Sequence, residues 1–280
     1  MKVTVTGATG LIGSRLCGAL RKRGDEVTAV AREWPPEVLA RRDAVVHLAG
    51  ERIAQRWSEE AMAMIRASRV EGTHRLVDAL GEADPRPRVL VCASGADYYG
   101  DTGDRRVDES APPGDSFLAQ VCVEWEQEAA RASELGLRVT SLRTGPVLAR
   151  TGGALAKMLL PFRLGLGGRV GSGRQWFSWI ALDDIVGLYA EAVHGGDEWA
   201  GPINACAPEP VTNAEFAKAL GRALRRPAVL PIPPKALELL YGDMAQIVTR
   251  GVRMVPARAL KLGYRYLHPD LDEALRAALR

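Results

Sequence analysis

At 280 residues, 47% hydrophobic and 25% charged, the chain has the composition of an ordinary globular protein, long enough to bury a substantial core. Its net charge of +3 is spread as short basic pairs, which leaves no tract for binding nucleic acid, and no apolar run approaches the ~20 residues of a membrane span. Cys17, Cys92, Cys122 and Cys206 form no CxxC pair and share no metal-ligand spacing with the histidines, so buried thiols, no metal and a reducing, cytoplasmic compartment are expected.

The first elements alternate. "KVTVTG" is a β-branched run that reads as a buried strand, and "LIGSRLCGALRKRG" follows with helical spacing and a C-terminal glycine, Gly24. "EVTAVAR", "DAVVHLAG", "RVLVCASG" and "LRVTSLRTGPVL" are further strands. A long helix opens after Ser58, its expected N-cap, and another runs through "VEWEQEAARASELG". Strands alternating with helices predict an α/β fold, a Rossmann-type doubly wound parallel sheet with right-handed crossovers. After residue 150 the texture changes to a glycine-rich, aromatic stretch, then helices over "DDIVGLYAEAVHGG" and "TNAEFAKALGRAL". Asp183 and Asp184 read as caps of the first of these, and "AVLPIPP" is too proline-rich for a central strand. The expected division is residues 1–150 as a dinucleotide-binding domain, with some return of chain to it after 175. Residues 151–280 then form a smaller substrate lobe ending in helices.

Gly7, Gly10 and Gly13 form G-x-x-G-x-x-G between a strand and a helix. Such glycines let backbone approach a pyrophosphate, which the helix N-terminus then binds through its N–H groups. The plainer reading is a tight structural turn. At the end of the second strand, where an acidic residue would bind the ribose hydroxyl of NAD, stands Arg32, which suits the 2′-phosphate of NADP. A solvated strand-end cation is the alternative.

"TGATGLIG", "DAVVHLAG" and "VCASGADYYG" resemble the cofactor-binding strands of the extended short-chain dehydrogenase/reductases. "LLPFRLGLGGRVGSGRQWFSWIALDD", "SRVEGTHRLVDAL" and the C-terminal ~45 residues resemble one largely uncharacterised branch, the NADP-binding "epimerase family" proteins. The resemblance implies a Rossmann lobe, a smaller C-terminal lobe and NADP binding, but no known substrate; a small-molecule substrate and a possible homodimer are expected. It implies that Leu11 and Ile12 supply N–H groups beside the three glycines. Leu48, Ala49 and Gly50 would line the adenosine ribose and pyrophosphate, Ser94 would stand beside the nicotinamide, and Gly145, Pro146 and Val147 would border its carboxamide. The departures are pointed. Phe117 and Val121 hold the positions of the superfamily's Tyr-x-x-x-Lys pair, and Phe177 stands where nucleotide-sugar enzymes carry a diphosphate-clamping arginine, with Arg174 three residues earlier.

Proton transfer must then come from elsewhere. Ser94 could polarise a carbonyl, and Tyr98 or Tyr99 could act as an acid beside a cation, although all three could equally be packing residues of a strand end. Asp97 reads as a turn residue, Glu124 as a possible cofactor-facing carboxylate, and His47 as a core histidine. Arg174, Trp176, Phe177 and Trp179 read either as a substrate pocket or as packing between lobes. Two functions stay open: an NADP(H)-dependent oxidoreductase or epimerase-like enzyme on a small carbonyl or hydroxyl compound, and an NADP-binding regulatory or scaffold protein without catalysis.

Overall fold

The protein is seen in a computed structural model that describes residues 1–31 and 34–280. The first half contains β1 (Lys2–Thr6), α1 (Leu11–Lys22), β2 (Glu26–Val30), α2 (Pro36–Leu39), β3 (Ala44–His47), α3 (Glu59–Glu82) and β4 (Val89–Gly95). Then come β5 (Arg106–Val107), α4 (Phe117–Ala130), β6 (Arg138–Thr144), β7 (Val147–Leu148) and α5 (Gly153–Arg163). The remainder is β8 (Trp176–Phe177), β9 (Ile180–Ala181), α6 (Leu182–His194), β10 (Gly201–Ala205), β11 (Val211–Thr212) and α7 (Asn213–Leu224). It closes with α8 (Pro234–Tyr241), α9 (Gln246–Thr249), β12 (Arg253–Met254), α10 (Ala257–Lys261) and α11 (Leu271–Leu279). Among the described residues no helix is long and apolar enough to cross a membrane.

Six strands pair in parallel in the order β10-β6-β4-β3-β1-β2. Helices cover both faces, so the apolar runs at Val3, Val5, Val45, Val46, Leu90 and Val91 are buried on both sides. The chain leaves β1 toward β2 on one side and reaches β3 on the other. The carboxyl ends of β1 and β3 therefore flank a topological switch point, the usual ligand crevice of such sheets. A second core joins α5, α7, α11 and Trp179.

Local chemistry accounts for the helix ends. Ser58 accepts a hydrogen bond from the Ala61 amide, and Gly24 takes φ +91 just past α1. Thr212 and Glu215 complete a capping box on α7. One expectation fails. Asp183 and Asp184 lie within α6, whose N-cap is Ala181. The Asp184 carboxylate instead accepts the amides of Leu267 (2.6 Å) and His268 (3.0 Å), anchoring the C-terminal segment. The sixth strand, β10, begins Gly201-Pro202, a sequence that depresses strand propensity and is tolerated only at a sheet edge, which is where it lies.

Candidate active site

Gly7 leaves β1 with φ +66, a backbone conformation that favours glycine, and a Cβ there would stand 2.7 Å from the carbonyl carbon of Leu48. A Cβ on Gly13 would overlap the Gly7 carbonyl oxygen. The Gly10 amide donates to Gly7 O at 3.0 Å, closing the turn. Leu11 and Ile12 form the first turn of α1, where amides have no partner within the helix. Leu48 and Ala49 are strapped to this turn through amide bonds to Thr6 Oγ1 (3.2 and 3.4 Å), and Gly50 rests against the Arg69 guanidinium. Gly145 backs so closely on Ser178 that a Cβ would collide with its carbonyl. Pro146 accepts the Ile180 amide (3.0 Å), and Val147 pairs with Ile180. Arg32 lies outside the described residues.

His47, fully buried, places Nδ1 2.7 Å from Thr6 Oγ1 and its ring edge-on to Trp34. Burial lowers its pKa to about 4. The unfolded chain, with the ordinary value near 6.5, takes up the proton first. The stability this residue contributes is therefore complete above about pH 6.5 and is lost as pH falls toward 4, on the order of 3 kcal/mol in all. Urea unfolding midpoints are expected to fall across that window, and His47→Gln, which does not titrate, should flatten the fall.

At the carboxyl ends of β4, β6 and β10 the side chains form one buried polar chain. Ser94 Oγ donates to Glu126 Oε1 at 2.6 Å. Glu126 is gripped by Arg143 through two bonds, Nε to Oε1 at 2.9 Å and Nη2 to Oε2 at 2.8 Å. Arg143 Nη1 donates to the Tyr99 hydroxyl (2.9 Å), which donates to Asn204 Oδ1 (2.6 Å). Burial alone would lower the pKa of the Arg143 guanidinium, but the Glu126 pair outweighs it and holds the value above the ordinary one. Tyr98 lies flat against Arg143, its ring centroid 3.4 Å from the guanidinium carbon.

This arrangement sorts the expected proton-transfer residues. Tyr99 is 2% exposed, and burial raises its pKa to about 12 despite Arg143, so the expectation of an acid there is corrected: its hydroxyl is consumed by Arg143 and Asn204. Ser94 points to the α4 side of the sheet, and its proton is spent on Glu126, which removes the donor that polarising a carbonyl would need. Tyr98 is half-buried, and its hydroxyl makes no hydrogen bond among the described residues. Asp97, in the single turn after β4, has its carboxyl pKa raised by burial, against the pull of Arg69. Glu124 pairs with Arg66 on the surface (2.7 and 2.9 Å).

The expected aromatic pocket divides. Trp179 is 1% exposed and the half-buried Phe177 meets Phe216 with ring centroids 4.4 Å apart, so both pack in the second core. Trp176 turns the other way, donating to Asp104 Oδ1 at 3.0 Å beneath the Arg253 guanidinium, and Arg174 is exposed. Alternation along a short extended run puts neighbours on opposite sides. Phe117 opens α4 edge-on to Trp57, and Val121 is buried. Sequence reasoning missed Glu126 and Asn204. The available signal was Arg143, a cation near the carboxyl end of a strand expected inside the sheet, where a buried charge demands a partner.

The chain matches the NAD dependent epimerase/dehydratase family over residues 3–203 and a domain of unknown function, DUF1731, over residues 232–278. It is 40% identical to the epimerase family protein SDR39U1 of Bos taurus, covering 100% of both chains. It is also 40% identical to the chloroplastic SDR39U1 homolog of Arabidopsis thaliana, over 100% of this chain and 87% of that one. The crystal structure of the human epimerase family protein SDR39U1 with NADPH superposes with a TM-score of 0.93 at 38% identity, covering 100% of each chain. Glycine turn, parallel sheet and C-terminal segment agree with these matches, and the chain belongs to the NAD dependent epimerase/dehydratase family.

Proposed function

We propose that the protein is an NADP(H)-dependent oxidoreductase or epimerase-like enzyme acting on a small carbonyl or hydroxyl compound, with Tyr98 as the group that moves the proton. The cofactor assignment draws on the glycine turn, whose Gly7 and Gly13 leave the space a Cβ would fill, on Arg32 in the sequence, and on the NADPH bound by the human relative. Gly10, Leu11, Ile12 and Gly13 would bind its pyrophosphate, Leu48, Ala49 and Gly50 the adenosine side, and Gly145, Pro146 and Val147 the carboxamide. When bound, NADP(H) gives or takes a hydride. Residues 151–280 would supply much of the substrate lobe, with Arg174 and Trp176 facing outward from it.

The observation that carries the proton assignment is the Arg143 guanidinium carbon 3.4 Å from the ring centroid of Tyr98, whose hydroxyl makes no hydrogen bond among the described residues. Glu126 holds that guanidinium in place through its ion pair. Tyr98 Oη would release a proton to a substrate oxygen and recover it from solvent. Tyr98→Phe is expected to lower turnover about 10²-fold while leaving the Kd for NADPH unchanged. Full turnover in Tyr98→Phe would move the assignment to Asp97. A second reading, an NADP-binding protein without catalysis, is favoured by the apolar Phe117 and Val121 in the superfamily's Tyr and Lys positions.

A further inference from the structure

The second half of α7 and the turn after it carry Lys218, Arg222, Arg225 and Arg226. Together with Arg169 they ring a cleft of about 680 Å³. Its floor includes the small side chains of Ala214 and Ala228. Cations at a helix C-terminus are ordinary, since they complement the helix dipole. Three observations go beyond that. Arg225 sits in the left-handed conformation, φ 54 and ψ 44, at the position where glycine usually ends a helix, so an arginine is strained there. Two carbonyls in the last turn of α7 are already satisfied by backbone. The Arg225 amide reaches Arg222 O at 3.0 Å and the Arg226 amide reaches Gly221 O at 2.9 Å, so these two carbonyls need no side-chain cap. Finally, the charge is poorly neutralised. Asp272 holds Arg222 at 2.8 and 2.9 Å, and Arg226 Nε is turned to the Arg163 carbonyl. Lys218 and Arg225 make no side-chain hydrogen bond or ion pair among the described residues.

Lys218 and Arg222, one helical turn apart, repel each other. Like charges gathered around a concave wall focus a positive potential into it. We infer that this cleft binds a small anion carrying two or more phosphoryl groups. The Arg225 guanidinium and the Lys218 ammonium, neither paired among the described residues, can each meet a different phosphoryl group, and the cleft is far larger than a single phosphate fills. The site is separate from the glycine turn at the amino end of α1.

The test is isothermal titration of the full chain with sodium tripolyphosphate at low ionic strength, after pre-incubation with NADPH to occupy the glycine turn. One equivalent is expected to bind. Arg225→Gly should weaken binding about tenfold or more, the loss of one charge-assisted contact. The same variant should melt about 2 °C higher, because it relieves the left-handed strain. Lys218→Gln should weaken binding similarly, and Lys22→Gln, on the exposed surface of α1, should leave it unchanged. Unchanged affinity in both Arg225→Gly and Lys218→Gln would overturn the inference. So would inorganic phosphate binding as tightly as tripolyphosphate, which would mean a diffuse ionic atmosphere. Tighter binding of a single-stranded oligonucleotide would replace the small-anion site with a nucleic-acid surface.

Discussion

Gly13→Ala is expected to weaken NADPH binding about 10²-fold or more, read by tryptophan fluorescence titration, and to lower the melting temperature. The added methyl would overlap the Gly7 carbonyl oxygen and stand 2.9 Å from Ala8 Cα, both backbone atoms with no side-chain freedom to retreat. The turn would have to open, carrying away the amides of the first turn of α1 that face a pyrophosphate. Gly7→Ala should behave alike for a second reason, since its φ of +66 is strained for alanine and its Cβ would press on Leu48. Gly18→Ala provides the contrast on the same helix: nothing lies within 4 Å of the new methyl, and helix propensity predicts a gain of roughly 0.5–1 kcal/mol with binding intact.

Glu126→Gln is expected to destabilise the fold by about 3–5 kcal/mol, the usual result of leaving one member of a buried ion pair without its partner. The Arg143 side chain is 4% exposed and Glu126 15%, so water does not make good the loss. For a chain of this size that corresponds to a fall in Tm of about 5–9 °C. The damage should spread along the network. Arg143 would lose the carboxylate that fixes it against Tyr98, and Ser94 would lose its acceptor. Glu126→Leu combined with Arg143→Met, which removes both charges, should recover part of the stability, as measured by urea unfolding. Equal stability of Glu126→Gln and the parent would show that the pair contributes nothing measurable.

The glycine turn, the strands β1 to β4 and β6, and the caps at Ser58 and Gly24 were legible because their chemistry is local. A β-branched run, a glycine or a capping hydroxyl acts on residues within a few positions of itself. The polar chain beneath the site was not legible for the opposite reason. Ser94 meets Glu126 across 32 residues of sequence, Glu126 meets Arg143 across 17, and Tyr99 meets Asn204 across 105. Only the sheet order, which sets β4, β6 and β10 side by side, brings them together. Without that order, Ser94 and Tyr99 read as free catalytic groups rather than as occupied members of a network. Trp179 failed similarly, since its aromatic neighbourhood in the sequence looked like a pocket while its burial places it in the core around Leu155 and Phe216. Tyr98 was named by the sequence beside Tyr99, and it was separated from its neighbours only once their partners were known.

The central claim is that this site performs NADP(H)-dependent chemistry through Tyr98. The direct measurement is NADPH oxidation at saturating cofactor, followed by absorbance across a panel of ketones, aldehydes and quinones, for the parent protein and Tyr98→Phe side by side. The account predicts that at least one carbonyl compound is reduced by the parent and that the same compound is reduced about 10²-fold more slowly by the variant. Tight NADPH binding with no oxidation by any member of the panel would contradict it and leave a protein that binds the cofactor without using it.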